Sequence, residues 1–385
     1  MDITRIFEVL LERYNNGGMS RRRFLHNVGT LAFVNGVVGS SVMQMVNPAV
    51  AQGAKEVRFD GFGGMTQKAI SEKLLRVFQK ETGIVVNEGS FGSEQELLAK
   101  LAAEGTGDYN FFTAANPSTA LLFIERGYTQ ALDPAKLPGL DNLMKPAVDI
   151  YRSLAPEGLL AAVPTNISGV AIAYNHDKVD PAEVEAEGFN ILLSKKYPNR
   201  ISGEDQWQRR ICYGALQTGQ DINNITDMNA VWGKIAECKR NVFKFWKSNA
   251  EHAQLLGSGE AWITDAWYGT IGQLRKAGMP ISYYPKQGTF CNFGCFMVIK
   301  GTDMDVAYEI SSMLLRPEVA IAQSLMTTNV PALNPARVEM PDELKQAVGF
   351  DPTGTLEGYR MLEPRYWNKN AADWQREYRR VLSRA

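Results

Sequence analysis

Apolar and polar positions follow two rhythms along the chain, and the switches between them mark out its elements. Residues 55–64, "KEVRFDGFGG", begin with the period-two alternation of a strand that buries one face. The alternation breaks at Gly61, Gly63 and Gly64. "MTQKAISEKLLRVFQKETG" then places Ile70, Leu74, Leu75 and Phe78 at helical spacing and stops at Gly83. "IVVNEGSF" predicts the next strand, "GSEQELLAKLAAEG" the next helix, "YNFFTAAN" a third strand and "PSTALLFIERG" a third helix. Strands alternating with helices on short connections predict a parallel sheet covered by helices on both faces. Ligands gather at the carboxyl ends of the strands of such sheets. Here those ends are Phe62 to Gly64, Ser90 to Ser93 and Ala114 to Asn116.

Further on, "GLLAAVPTNISGVAIAYNHDKV" predicts a β-rich crossing punctuated by Pro164 and Gly169. A second region of helices and strands runs through "YYPKQGTFCNFGCFMVIKGT". The tail is largely helical, with "DVAYEISSMLLRPEVAIAQSLM" as its most periodic piece.

The first residues follow a different logic. Arg21, Arg22 and Arg23 stand directly before a run, Asn27 to Ala54, that holds no Asp, Glu, Lys or Arg and ends with Ala49 and Ala51 in A-x-A spacing. A positive segment, an apolar segment and a small-residue cleavage site are the order of a secretory signal. A transmembrane anchor is the alternative, but Asn35, Gly36, Gly39, Ser40, Ser41, Gln44 and Asn47 make the run too polar for a comfortable span. Ser20-Arg21-Arg22-Arg23-Phe24-Leu25 resembles the twin-arginine export signal, which implies a periplasmic protein exported already folded, with residues 1–51 removed.

Composition narrows the function. The chain of 385 residues has 41 basic and 42 acidic residues, and without residues 1–51 it keeps 36 and 39. That balance builds no field for nucleic acid or an anionic membrane surface. Cys212, Cys238, Cys291 and Cys295 are few, none forms a CxxC pair, and after the signal only His176 and His252 remain. They predict neither a metal centre nor a haem. A disulfide and free buried thiols are both open readings. No GxSxG, Walker A or HExxH motif is present, and "GFGG" lacks the full GxGxxG spacing. No catalytic residue and no cofactor are expected.

The ordered stretches "GFGGMTQKAISEKLLRVFQKETGIVV", "ELLAKLAAEGTGDYNFFTAANPS", "VPTNISGVAIAYNHDKVDP", "GSGEAWITDAW" and "MLLRPEVAIAQSL" resemble the periplasmic solute-binding proteins of ABC transporters, specifically the spermidine/putrescine-binding-like group. The resemblance implies a type II periplasmic binding protein fold of class α/β. Two lobes, each a mostly parallel sheet flanked by helices, would close on a ligand held between them. Carried onto this chain, one lobe is residues 52–164 plus 300–328 and the other 165–299 plus 329–385. It also implies a monomer that hands a small-molecule ligand to ABC permease subunits. A periplasmic cofactor-dependent enzyme, and a binder of an anionic solute or of ferric ion, are the alternatives.

The same resemblance marks the site. Asp265, between Trp262 and Trp267 and followed by Tyr268, would hold a ligand ammonium through its charge and the indole faces. A helix N-cap is the competing reading of Asp265. Glu204, Asp205 and Trp207 correspond to an acidic pair, although Arg209 and Arg210 stand where a further acid is expected; there too an N-cap competes. Phe62, Gly63 and Gly64 resemble an aromatic-Gly-Gly loop whose backbone N–H groups approach a ligand, with a tight strand-to-helix turn as the competing reading. Asn116 and Asn292 replace a stacking tyrosine and an acid, which argues against an ordinary polyamine. Ser90, Phe290 and Gln323 complete the set. Since no lysine or arginine follows Asp265 until Arg275, a ligand amine is expected to meet its charge. The solute is therefore read as polyamine-like, or as a zwitterion whose acid end reaches the Gly63–Gly64 turn or Ser90. Tyr283 and Tyr284 would face opposite sides of a strand, unlike a ferric-ion pair.

Overall fold

The computed structural model describes residues 55–284 and 290–384, with the side chains of Asn249 and Phe290 left aside. The export signal lies outside the described residues. Strand β1 (Glu56–Gly61) runs parallel between β2 (Val85–Ser90) and β3 (Phe111–Ala114), with Phe59 opposite Phe111 and Glu88. Its apolar face enters a large buried cluster in which Phe59 and Phe111 each stack on Phe296. Helix α1 (Gly64–Ile70) passes through a π-helical turn, Ser71–Leu75, into α2 (Arg76–Thr82), which ends at Gly83 with φ 74°. Helix α3 (Glu94–Glu104) starts where the Ser93 hydroxyl accepts the Glu96 N–H, and α4 (Pro117–Glu125) where Asn116 accepts that of Thr119.

The chain leaves this region along β4 (Val163–Asn175), passes β5 (Ser202–Glu204), β6 (Lys244–Trp246), β7 (Ile263–Trp267) and β8 (Ile281–Tyr284), and returns along β9 (Phe290–Val298). Strand β4 changes partners partway along its length. Up to Gly169 it pairs antiparallel with β9, and from Val170 onward with β7 and β8. Its two faces also serve two cores: Ile167, Ala171 and Ala173 point into the first cluster, while Val170, Ile172 and Tyr174 point into a second with Ile211, Val231, Ile263 and Trp367. Parallel pairing holds for β1–β3 as expected. The crossing strands pair antiparallel because the chain goes out along β4 and comes back along β9.

Between β5 and β8 lie α5 (Trp207–Gln217), α6 (Asn249–Gly257) and α7 (Tyr268–Lys276). The periodic tail is not one helix. It divides into α8 (Met304–Leu314) and α9 (Pro317–Thr327), because Pro317 has no N–H to give and starts the second helix at its first position. Strands β10 (Val330–Pro331) and β11 (Arg360–Met361) pair with β4 and β9. The final helix, α10 (Pro364–Arg384), buries Trp367, Trp374 and Tyr378 in the second cluster, and Asn368 donates to the Ser118 carbonyl at the start of α4. All four cysteines are free and buried, and burial pushes the thiols of Cys212, Cys291 and Cys295 up to about 12.

Candidate solute-binding cleft

A cleft of about 690 Å³ opens between the carboxyl end of β1 and the elements that follow β4. Phe62, Gly63 and Gly64, with Thr113 to Ala115 at the end of β3, form one wall; Gln323 of α9 stands beside them. Gly63 and Gly64 have φ of 74° and 61°, a left-handed backbone that a side chain would strain, which is why the first strand breaks there into α1. Phe62 packs edge-on against Phe91 at 4.9 Å. The Thr113 hydroxyl and the Gln323 amide nitrogen are buried here without a hydrogen-bond partner among the described residues.

The facing wall carries charge and aromatic rings. Glu204, at the end of β5, is only 9% exposed and receives the Arg209 Nε–H at 3.2 Å. Desolvation raises its pKa above the usual carboxylate value, and Arg209 opposes the shift. The Arg209 guanidinium lies 4.6 Å over the Trp267 ring. Trp246 stacks on His252 at 4.4 Å and donates its indole N–H to Thr264. Lys247 Nζ sits 3.6 Å from Asp205, which also accepts from the Tyr378 hydroxyl.

Of the expected site residues, Phe62, Gly63, Gly64, Glu204, Trp267 and Gln323 come together around this cleft. Asp265 does not line it. It is fully buried in the middle of β7, forms an ion pair with Arg210 and accepts the Glu204 backbone N–H at 2.9 Å. The cation expected from a ligand is thus supplied by the chain, from 55 residues upstream. Replacement by Asn would leave a buried arginine without its counter-charge. Asp265 is not a cap either, since Trp267 occupies the N-cap position of α7 and makes no side-chain cap bond. The cap of α5 is Gln206, which accepts from Arg209 N–H, and not Glu204 or Asp205.

Ser90 is exposed, Asn116 is spent on capping α4, and Asn292 faces Ser168 across the β4–β9 ladder. Trp207 packs on Trp367, and Tyr268 is buried against Gly169 and Gly349. These five, with Asp205 and Asp265, are outside the cleft lining. Reading by sequence missed Trp246, Lys247, Thr113, Asn166, Gln273 and Asn329, which line it. For the first two a signal existed: "FKFW" is a short strand followed by the N-cap Ser248, and its carboxyl end is where a ligand is expected.

Comparison with known proteins decides the family. The model of the bacterial extracellular solute-binding protein family matches residues 73–352. The chain belongs to that family. Among its relatives is the spermidine/putrescine-binding periplasmic protein of Salmonella typhimurium, 26% identical over 302 residues that cover 77% of each chain. Many solved structures share the fold. The spermidine/putrescine substrate-binding protein of Streptococcus pneumoniae superposes with a TM-score of 0.70 at 21% identity, covering 86% of this chain and 100% of that one. A GABA receptor superposes with 0.69 at 19% identity, covering 85% and 98%. The fold is therefore that of the extracellular solute-binding proteins: α/β, two lobes, and the cleft between them.

Proposed function

We propose that this protein captures a small amine-bearing solute in the periplasm and delivers it to the permease subunits of an ABC importer, without catalysing a reaction. The observation that carries the reading is Glu204, a nearly buried carboxylate at the wall of an open cleft and flanked there by Trp246 and Trp267. A carboxylate beside indole faces is the chemistry that recognises an ammonium. The relative from Salmonella and the pneumococcal protein are named for spermidine and putrescine, and the third for GABA; all carry amines. Residues 52–164 plus 300–328 and 165–299 plus 329–385 would act as the closing lobes, with the partner change in β4 at Gly169 within the hinge. Export through the twin-arginine route rests on Ser20 to Leu25.

Native mass spectrometry of the protein as purified, followed by calorimetry with the compound identified, tests the reading. The expected compound has a cationic nitrogen, and Glu204→Gln weakens it roughly ten- to a hundredfold, since charge-assisted bonds contribute about 1.5–3 kcal/mol. A compound without such a nitrogen, or an unchanged affinity, would show that Glu204 does not recognise an amine.

A further inference from the structure

Taking the cleft as the solute site, we infer that Arg209 is a built-in occupant of a cation cage and that it sets the solute class: a compound with one ammonium and an acidic or carbonyl end, not a diamine. Trp267 and Glu204 both line the cleft, and an aromatic face beside a carboxylate is where a free ammonium gains most. That place is taken. The Arg209 guanidinium lies 4.6 Å from the Trp267 ring centre, its Nε is 3.2 Å from Glu204 Oε2, and the residue is only 6% exposed.

The charges around the cleft are closed on themselves. Among the described residues, Glu204 is the one acidic and Lys247 the one basic side chain that line it. Glu204 is paired with Arg209, Lys247 with Asp205, and Asp265 behind the wall with Arg210. A dication would have to displace Arg209 or enter with a charge uncompensated, and both are costly in a partly desolvated cleft. A single ammonium can still donate to Glu204 Oε1, since the Arg209 Nε–H is held by Oε2. On the opposite wall the Thr113 hydroxyl and the Gln323 amide N–H find no acceptor among the described residues, and a carboxylate or carbonyl would provide one. The cleft therefore matches a ligand that brings a single cationic group.

This narrows the amine reading above, and its test separates the two. The dialysed protein and its Arg209→Gln variant are titrated calorimetrically with 4-aminobutanoate and with 1,4-diaminobutane, probes that differ at one end only. The wild-type protein should favour 4-aminobutanoate by at least tenfold, and the variant should gain at least tenfold for the diamine. A wild-type protein without that preference, including one that binds neither probe, overturns the solute class whether or not the variant folds. A folded variant with no gain for the diamine overturns the part given to Arg209. The amine reading fails separately, if the co-purified compound has no cationic nitrogen.

Discussion

The Phe62–Gly64 wall meets the cleft with backbone and neutral side chains, whereas the Glu204–Trp267 wall meets it with ionised groups that are already paired. The first is assembled locally, from a glycine turn and a strand end that follow each other in the chain. The second is assembled across distance: Asp265 is joined to Glu204 and Arg210 over 61 and 55 residues. Local turns announce themselves in a sequence, but the partner of a charge does not. A carboxylate looks free in the sequence until the fold brings its arginine to it.

The paired wall is most sensitive at Arg210. Arg210→Met leaves Asp265 charged, buried and without its cation, and should destabilise the protein by about 3–5 kcal/mol in denaturant unfolding, with most of the loss recovered in Arg210→Met/Asp265→Leu. An Arg210→Met protein of unchanged stability would mean that the pair is not what holds this wall. Next comes acid. Burial lowers the His252 pKa from 6.5 to about 4, and the ring stacks on Trp246 of the cleft wall. The unfolded chain takes up that proton first, so this contribution is intact above pH 6.5 and is lost as pH falls towards 4, by at most about 3 kcal/mol. Unfolding across that range should therefore be less pH-dependent in His252→Phe, and identical slopes in the two proteins would remove His252 from the account.

A smaller effect is expected where β4 changes partners. A Cβ at Gly169 would lie 2.5 Å from the Tyr268 ring, so Gly169→Ala should cost about 1–3 kcal/mol of stability by forcing that buried ring to shift. A melting temperature equal to wild type would show that the crossing tolerates the displacement. Smallest is Trp267→Ala, which removes the indole under Arg209. The cation–π contact that holds Arg209 in place contributes about 0.5–2 kcal/mol, so its loss should misplace Arg209 beside Glu204 and lower solute affinity by about twofold up to roughly thirtyfold. No change in calorimetry would place the solute away from this ring.

Much of the fold is legible in the sequence for physical reasons that can be named. Period-two and helical patterns give β1 to β3 and their helices, because each buries one face. The breaks at Gly63 and Gly64 give the first wall, because a left-handed backbone calls for glycine. The second wall is less legible. Asp265 between two tryptophans reads as a ligand group because residues neighbouring in sequence are all that a sequence displays. In β7 it points inward, where Arg210 from α5 meets it. Arg209 and Arg210 stand out as a departure from the expected pattern, and the structure gives that departure a role. They turn two carboxylates that could face a solute into two internal pairs.

The most direct measurement is a crystal structure of the protein with its co-purified solute. The solute should lie in the cleft with its cationic nitrogen against Glu204 and its acidic or carbonyl end towards Thr113 and Gln323, while Arg209 stays over Trp267. A solute bound outside the cleft, or one lying in it with no nitrogen near Glu204, would contradict this placement.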